Sequence, residues 1–264
     1  MLHGAATSKR LLGGEPTALV ILGALTGVVA GLAAVGLVLL VRAINTAVWA
    51  QRWTLDDTTP LEALAHGDAG GGLPVWAPLL VVPLGMMVVV WMVRWLAPEA
   101  AGHGVPEVMA AVAQRHGLMR GKVGVVKLVA SSITIALGGS VGKEGPIVQV
   151  GAAFGSTVGR FFGVHGRPMR TLVACGSAAG IAAVFNAPIG GVLFALEIII
   201  GSYNLASFAP VLIAAVAGAV TGQRFLGGQP AFAIPEALRM GLTLVSPWEI
   251  GAYALLGLLL GLVS

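Results

Sequence analysis

Residues 138–146, GGSVGKEGP, set a lysine beside a glutamate among four glycines, between Leu128–Leu137 and Pro146–Gly159, neither of which carries a charge. Three chemistries use such residues. A phosphate loop needs G-x-x-x-x-G-K-[ST], but Leu137 stands where its first glycine belongs and Glu144 where its hydroxyl belongs. A nucleophile elbow, G-x-S-x-G, is matched by Gly138–Gly142 and would make Ser140 the nucleophile of an intramembrane serine hydrolase. Its partners are scarce: His165 is the only downstream histidine, and no aspartate follows Asp68, so a glutamate would have to serve as the acid.

The third chemistry is anion binding. The first N–H groups of a helix lack intrahelical partners, and the helix dipole places about half a positive charge at that end. Pro146 suits a first helical turn, and the glycines let an ion approach the backbone. A helix opening at Gly145 or Pro146 therefore presents an anion site, with Lys143 adding attraction. Glu144 lies on that terminus as a tethered anion. Charged, it occupies the donors; protonated, or displaced by a free anion, it leaves. The simpler alternative is a Lys143–Glu144 pair that caps the helix, but adjacent residues pair poorly, and ionisable groups within a membrane are functional candidates. The stretch GHGVPEV, 102–108, repeats the formula of glycines, a polar side chain and a helix-opening proline. Two such termini, about 40 residues apart in sequence, can converge on one ion. His103 would either donate an N–H to it or stay a neutral histidine bonded to a carbonyl.

The elements that carry these loops follow from composition. Of 264 residues, 57% are hydrophobic and 10% charged, against roughly 25% charged in a soluble domain. Pro16–Val41, Ala69–Val93, Thr171–Leu196 and Ile198–Gln223 are uncharged and reach the roughly 20 residues a bilayer core requires. The 39 glycines suit closely packed helices in lipid. The chain reads as an all-α, polytopic protein of the cell membrane. Its scattered Lys and Arg flank apolar runs, which argues against nucleic acid, and the single Cys175 excludes an internal disulfide and a cysteine metal site. No cofactor is implied, and the apolar run near the start is too long for the core of a signal peptide.

Helix one is expected over Thr17–Ala47 and helix two over Leu73–Leu96, with residues 1–16 as a cytoplasmic segment. The acidic loop Gln51–Gly72 is placed outside, and the segment with Arg94, Arg115, Arg120, Lys122 and Lys127 inside, by the bias of Lys and Arg. Beyond residue 100 the pattern changes. The stretch 106–117 is too short and polar to span. Lys127–Lys143 and Gly145–Arg160 are short for a span, and NAP (186–188) interrupts Thr171–Leu196. Pro106, Pro146 and Pro188 thus each open a short helix within the membrane, as in transporters built on broken helices.

Four stretches resemble the CLC chloride channels and chloride/proton antiporters. GHGVP (102–106) is similar to that family's GSGIP loop and GKEGP (142–146) to its G(K/R)EGP motif. GSAAGIAAVFNAPIGGVLFALE (176–197) resembles the segment after it, and RHGLMRGKVGVVK the connection between the first two motifs. The likeness runs in order from about residue 18 to the end. It implies a polytopic bundle with broken helices, of which this chain is the first half of an inverted repeat, in a homodimer with one anion pathway per subunit. Residues 1–264 would form one transmembrane domain: 17–244 as the first half, and 245–264 as the start of a second half that breaks off in mid-helix. The family's later G-x-F-x-P loop is not seen, and Tyr203 and Tyr253 do not stand in the context of its pore-lining tyrosine.

By the same likeness Glu144 is the gating glutamate. The amides around Gly104–Val105 and at Gly145, Ile147 and Val148, with the side chain of His103, line the anion sites. Two departures qualify this. His103 replaces the anion-coordinating serine, which leaves chloride, nitrate and fluoride open. Ile198 stands where proton-coupled members often carry an internal glutamate, which points to a channel, although some antiporters lack that glutamate too. Neighbouring Glu197 is expected in a buried hydrogen bond near the helix end.

Overall fold

The computed structural model describes residues 16–49, 76–228 and 248–263. The expected cytoplasmic segment before residue 16, the acidic loop Gln51–Gly72 and residues 73–75 lie outside these; Trp76 and Ala77 form a turn, so the second helix begins at Pro78 rather than at the expected Leu73. The chain divides into two compact units, Met1–Gln229 and Pro230–Ser264. In the first, α1 (Pro16–Val48), α2 (Pro78–Leu96), α6 (Arg167–Phe185) and α8 (Leu205–Leu226) have the length and apolar character to cross a membrane. The short helices between them are α3 (Val105–Gln114), α4 (Gly121–Ala136), α5 (Glu144–Phe161) and α7 (Pro188–Phe194), the last running on into a π-helical turn at Ala195–Ile200. The second unit contributes one described helix, α9 (Trp248–Val263).

Proline and glycine place the breaks as the sequence suggests. Pro106 and Pro188 occupy the first turns of α3 and α7. Asn186 ends α6 in the left-handed region, at φ 53°, and so separates α6 from α7. The fifth helix differs: it begins at Glu144 rather than at Gly145 or Pro146. Pro146 therefore sits third in the helix, still within its first turn, where a missing N–H costs no intrahelical bond.

The interior is alanine, glycine and valine. Val148 and Ala152 of α5, Ala174 and Ala178 of α6, Leu196 after α7 and Val211 of α8 belong to one buried cluster. In lipid, association rests on close packing more than on the hydrophobic effect. Two contacts show why the sequence is rich in glycine. The backbones of α5 and α6 meet at Gly151 and Gly176, where a Cβ on either would strike the other's carbonyl. Gly218 of α8 lies so close to Ala179 of α6 that an added Cβ would stand 2.5 Å from the Ala179 carbonyl oxygen. This tight bundle holds α5 with its N-terminus directed at α3. The indole of Trp49 donates to the Ala136 carbonyl at 2.8 Å, tying the end of α1 to the end of α4.

Candidate anion site

The two glycine-proline loops touch. A Cβ on Gly104 would lie 2.7 Å from the Gly145 carbonyl oxygen, and one on Gly145 would strike the His103 carbonyl. Gly104 has φ 107°, a conformation that only glycine adopts without strain. It lets α3 begin within contact of α5. The His103 ring lies over Gly145, its Nδ1 2.9 Å from where that Cβ would be. His103, Gly142 and Pro146 share a cavity of about 540 Å³ whose other walls come from α2 and α4.

The free donors at this junction can be counted. The Gly104 amide donates to the Glu107 carboxylate at 2.9 Å, half of a capping box. At α5, the Ile147 amide donates to the Lys143 carbonyl at 3.1 Å. The earlier helix start thus draws Ile147 into the first backbone bond. Without partners among the described residues are the Val105 and Glu107 amides at α3 and the Gly142, Lys143, Glu144 and Gly145 amides at the start of α5. The Glu144 side chain folds back over Gly142, where a Cβ would meet its carboxylate oxygen. Glu144 and Lys143 are exposed, Gly145, Ile147 and Val148 buried, and no ion pair joins Lys143 to Glu144 among the described residues.

Three supporting residues escaped the sequence reading. Lys127, taken there as a charge flanking the membrane, is 4% exposed. Its Nζ donates to the carbonyls of Ala100 at 3.0 Å and Gly102 at 2.6 Å. It clamps the loop that carries His103. Gln149, fully buried, donates through Nε2 to the Glu99 carbonyl at 2.8 Å, and Glu107 caps α3. The available signal was spacing: Lys127 and Gln149 interrupt apolar helices where no loop needs a polar residue. At the edge of the same loop Arg120 pairs with Glu99 at 2.6 Å. A backbone N–H first, and then Arg120 and Arg115, hold the Glu99 carboxyl below the usual carboxylate range against an opposing effect of partial burial.

The remaining candidates lie apart. Ile198 is in the π-helical turn and 37% exposed. Beside it Glu197 accepts a hydrogen bond from the Tyr203 hydroxyl at 3.0 Å. The bond expected of Glu197 near the helix end exists, but it is exposed rather than buried, because the chain leaves the helix at Gly201 and carries Tyr203 out with it. Ser140 lines the cavity before α5, whereas His165 follows α5 and binds the Gly163 carbonyl. About 27 Å of helix separates the elbow from its histidine.

Fold and site together define a multi-pass helical membrane protein whose broken helices bring two N-termini to one point. The sequence profile described as voltage gated chloride channel matches residues 85–264. The chain is 34% identical to the H(+)/Cl(−) exchange transporter ClcA of Cronobacter sakazakii, over 98% of this chain and 53% of that protein. It is 37% identical to the voltage-gated ClC-type chloride channel ClcB of Yersinia pseudotuberculosis, over 58% and 36%. Its fold matches the crystal structure of a slow cyanobacterial Cl−/H+ antiporter with a TM-score of 0.70 and 23% identity, covering 93% of this chain and 54% of the other. The chain therefore belongs to the CLC family of voltage-gated chloride channels. It spans about half the length of the curated relatives it matches, and it covers 54% of the antiporter chain whose fold it shares.

Proposed function

We propose that this chain builds a transmembrane pathway for chloride or a similar small anion, gated by Glu144, and that the pathway is channel-like. The observation that carries the reading is the meeting of Gly104 with Gly145. Two helix N-termini, each with unpaired amides, meet at one point, with the His103 ring over Gly145 and the exposed Glu144 carboxylate folded over Gly142. An anion there takes its hydrogen bonds from the free amides of Val105, Glu144 and Gly145 and from His103, and from the amides of Gly104, Ile147 and Val148 only once Glu107 and the first turn of α5 release them. Lys143 raises the local anion concentration. Ionised Glu144 competes for the same donors. As in the family it resembles, the protein acts as a homodimer.

The channel reading rests on Ile198, because an aliphatic side chain cannot relay a proton. A second reading, proton-coupled exchange of chloride or fluoride, is supported by the name of the Cronobacter relative, an H(+)/Cl(−) exchange transporter. Full-length protein in liposomes under a pH gradient at equal chloride separates the two. A channel dissipates chloride gradients without moving protons in a fixed ratio. Uphill chloride accumulation would refute the channel reading and make the protein an exchanger whose inner proton route bypasses Ile198.

A further inference from the structure

Gln149 follows Gly145 by one helical turn, so the two lie on the same face of α5. Helical side chains lean towards the N-terminus of their helix. The Gln149 amide therefore reaches back to the junction rather than onward along α5. Its Nε2 donates to the Glu99 carbonyl at 2.8 Å, and that bond decides which end of the amide points where. The other end, Oε1, lies 3.1 Å from where a Cβ on Gly104 would be, and the Gly145 carbonyl oxygen lies 2.7 Å from the same point. Gln149 is fully buried, and Oε1 has no hydrogen-bond partner among the described residues.

A buried acceptor without a donor is rare, and the place of this one gives it a consequence. In a low-dielectric interior an unpaired carbonyl oxygen is a fixed partial negative charge that no water screens. The free amides of Val105, Glu144 and Gly145 and the two helix dipoles draw an anion to the junction. Gln149 Oε1 opposes them from within the contact between the loops. Being buried, it touches no ion and acts through its field alone. Because the Glu99 bond holds the amide, the oxygen does not turn away when an anion enters. Conduction requires a site that binds well enough to fill and weakly enough to empty.

We propose, resting on the reading of this junction as the anion site, that Gln149 Oε1 is a counterweight that holds anion affinity down and speeds release. Without it the converging helix termini hold chloride more tightly and pass it more slowly. The residue thus has two separable parts. Its Nε2 positions the loop that carries His103 and Gly104, and its Oε1 sets how long an ion stays.

Gln149→Met tests this, because a counterweight and a mere brace move affinity in opposite directions. Methionine fills a similar space, adapts to irregular packing and carries no carbonyl. Chloride binding to the full-length protein in detergent, measured by calorimetry, should show a dissociation constant lower than wild type by about threefold or more. Chloride efflux from liposomes at saturating chloride should slow with it. Truncating a residue that only braces the loop weakens binding or leaves it unchanged, and either result overturns the proposal. Gln149→Leu, equally apolar and as good a helix former, is the second variant should the methionine protein fail to fold, and it carries the same expectation. Gly145→Ala, measured alongside, separates the two claims. If it leaves chloride binding unaltered, the junction is not the anion site; if it weakens binding while neither Gln149 variant tightens it, only the role given to Gln149 falls.

Discussion

Gly145→Ala is the sharpest perturbation of the anion junction, because it adds one methyl group at the point where the two loops touch. Gly145 is helical, so alanine is strain-free in its backbone and even gains helix propensity. All of the expected damage comes from contact. The new Cβ would strike the His103 carbonyl and stand 2.9 Å from the ring atoms Cε1 and Nδ1. Backbone cannot yield as the tip of a flexible side chain does, and Lys127 holds the same loop through the Ala100 and Gly102 carbonyls. Overpacking of this kind costs about 1–3 kcal/mol. If half of that falls on the anion-bound geometry, about 0.5–1.5 kcal/mol, affinity drops by about two- to twelvefold, at 1.4 kcal/mol per decade. The control is Gly36→Ala on α1, where a Cβ meets nothing within 4 Å and stability should hold or rise by about 0.5–1 kcal/mol. Chloride binding by calorimetry and thermal unfolding, on both variants of the full-length protein, give the two readouts. If Gly145→Ala binds and unfolds like Gly36→Ala, the loops do not meet as described and the junction is not the site.

His103→Ser should shift selectivity among chloride, nitrate and fluoride by about tenfold, since a hydrogen bond to a charged partner contributes roughly 1.5–3 kcal/mol; relative fluxes in liposomes measure it, and unaltered selectivity assigns the histidine to packing. Lys127→Met should lower the unfolding free energy by about 1–3 kcal/mol by orphaning two carbonyls, and should lower anion affinity with it; a stable variant with normal affinity would mean that the clamp on the loop is dispensable.

Much of this arrangement is legible in the sequence because proline and glycine act locally. Pro106 and Pro188 fix the first turns of α3 and α7 whatever surrounds them, and Asn186 ends α6 in a conformation its own side chain tolerates. The contact of Gly104 with Gly145 was inferable only as a possibility: two similar loops were visible, but their meeting depends on the packing of α5 against α6 through Gly151 and Gly176. The start of α5 shifted for a related reason. Proline is tolerated anywhere in a first turn, so Pro146 marks the turn without marking its first residue. Lys127 was misread because charge near an apolar run signals a membrane edge on average, whereas here the loop 100–104 offers it two carbonyls. Glu197 shows the converse, a hydrogen bond placed correctly by position whose exposure depends on where the chain turns at Gly201.

The central claim is that Glu144 is the gate, and flux through the full-length protein in liposomes tests it most directly. Chloride efflux is recorded over a range of external pH for the wild type and for Glu144→Gln. Glutamine keeps the shape of the side chain but cannot ionise, so it no longer competes with the anion at the N-terminus of α5. The account predicts a wild-type flux that changes with pH, and a variant flux that is higher, or carries greater anion occupancy, and is flat across the same range. A variant that keeps the wild-type pH dependence and the wild-type anion affinity would contradict it.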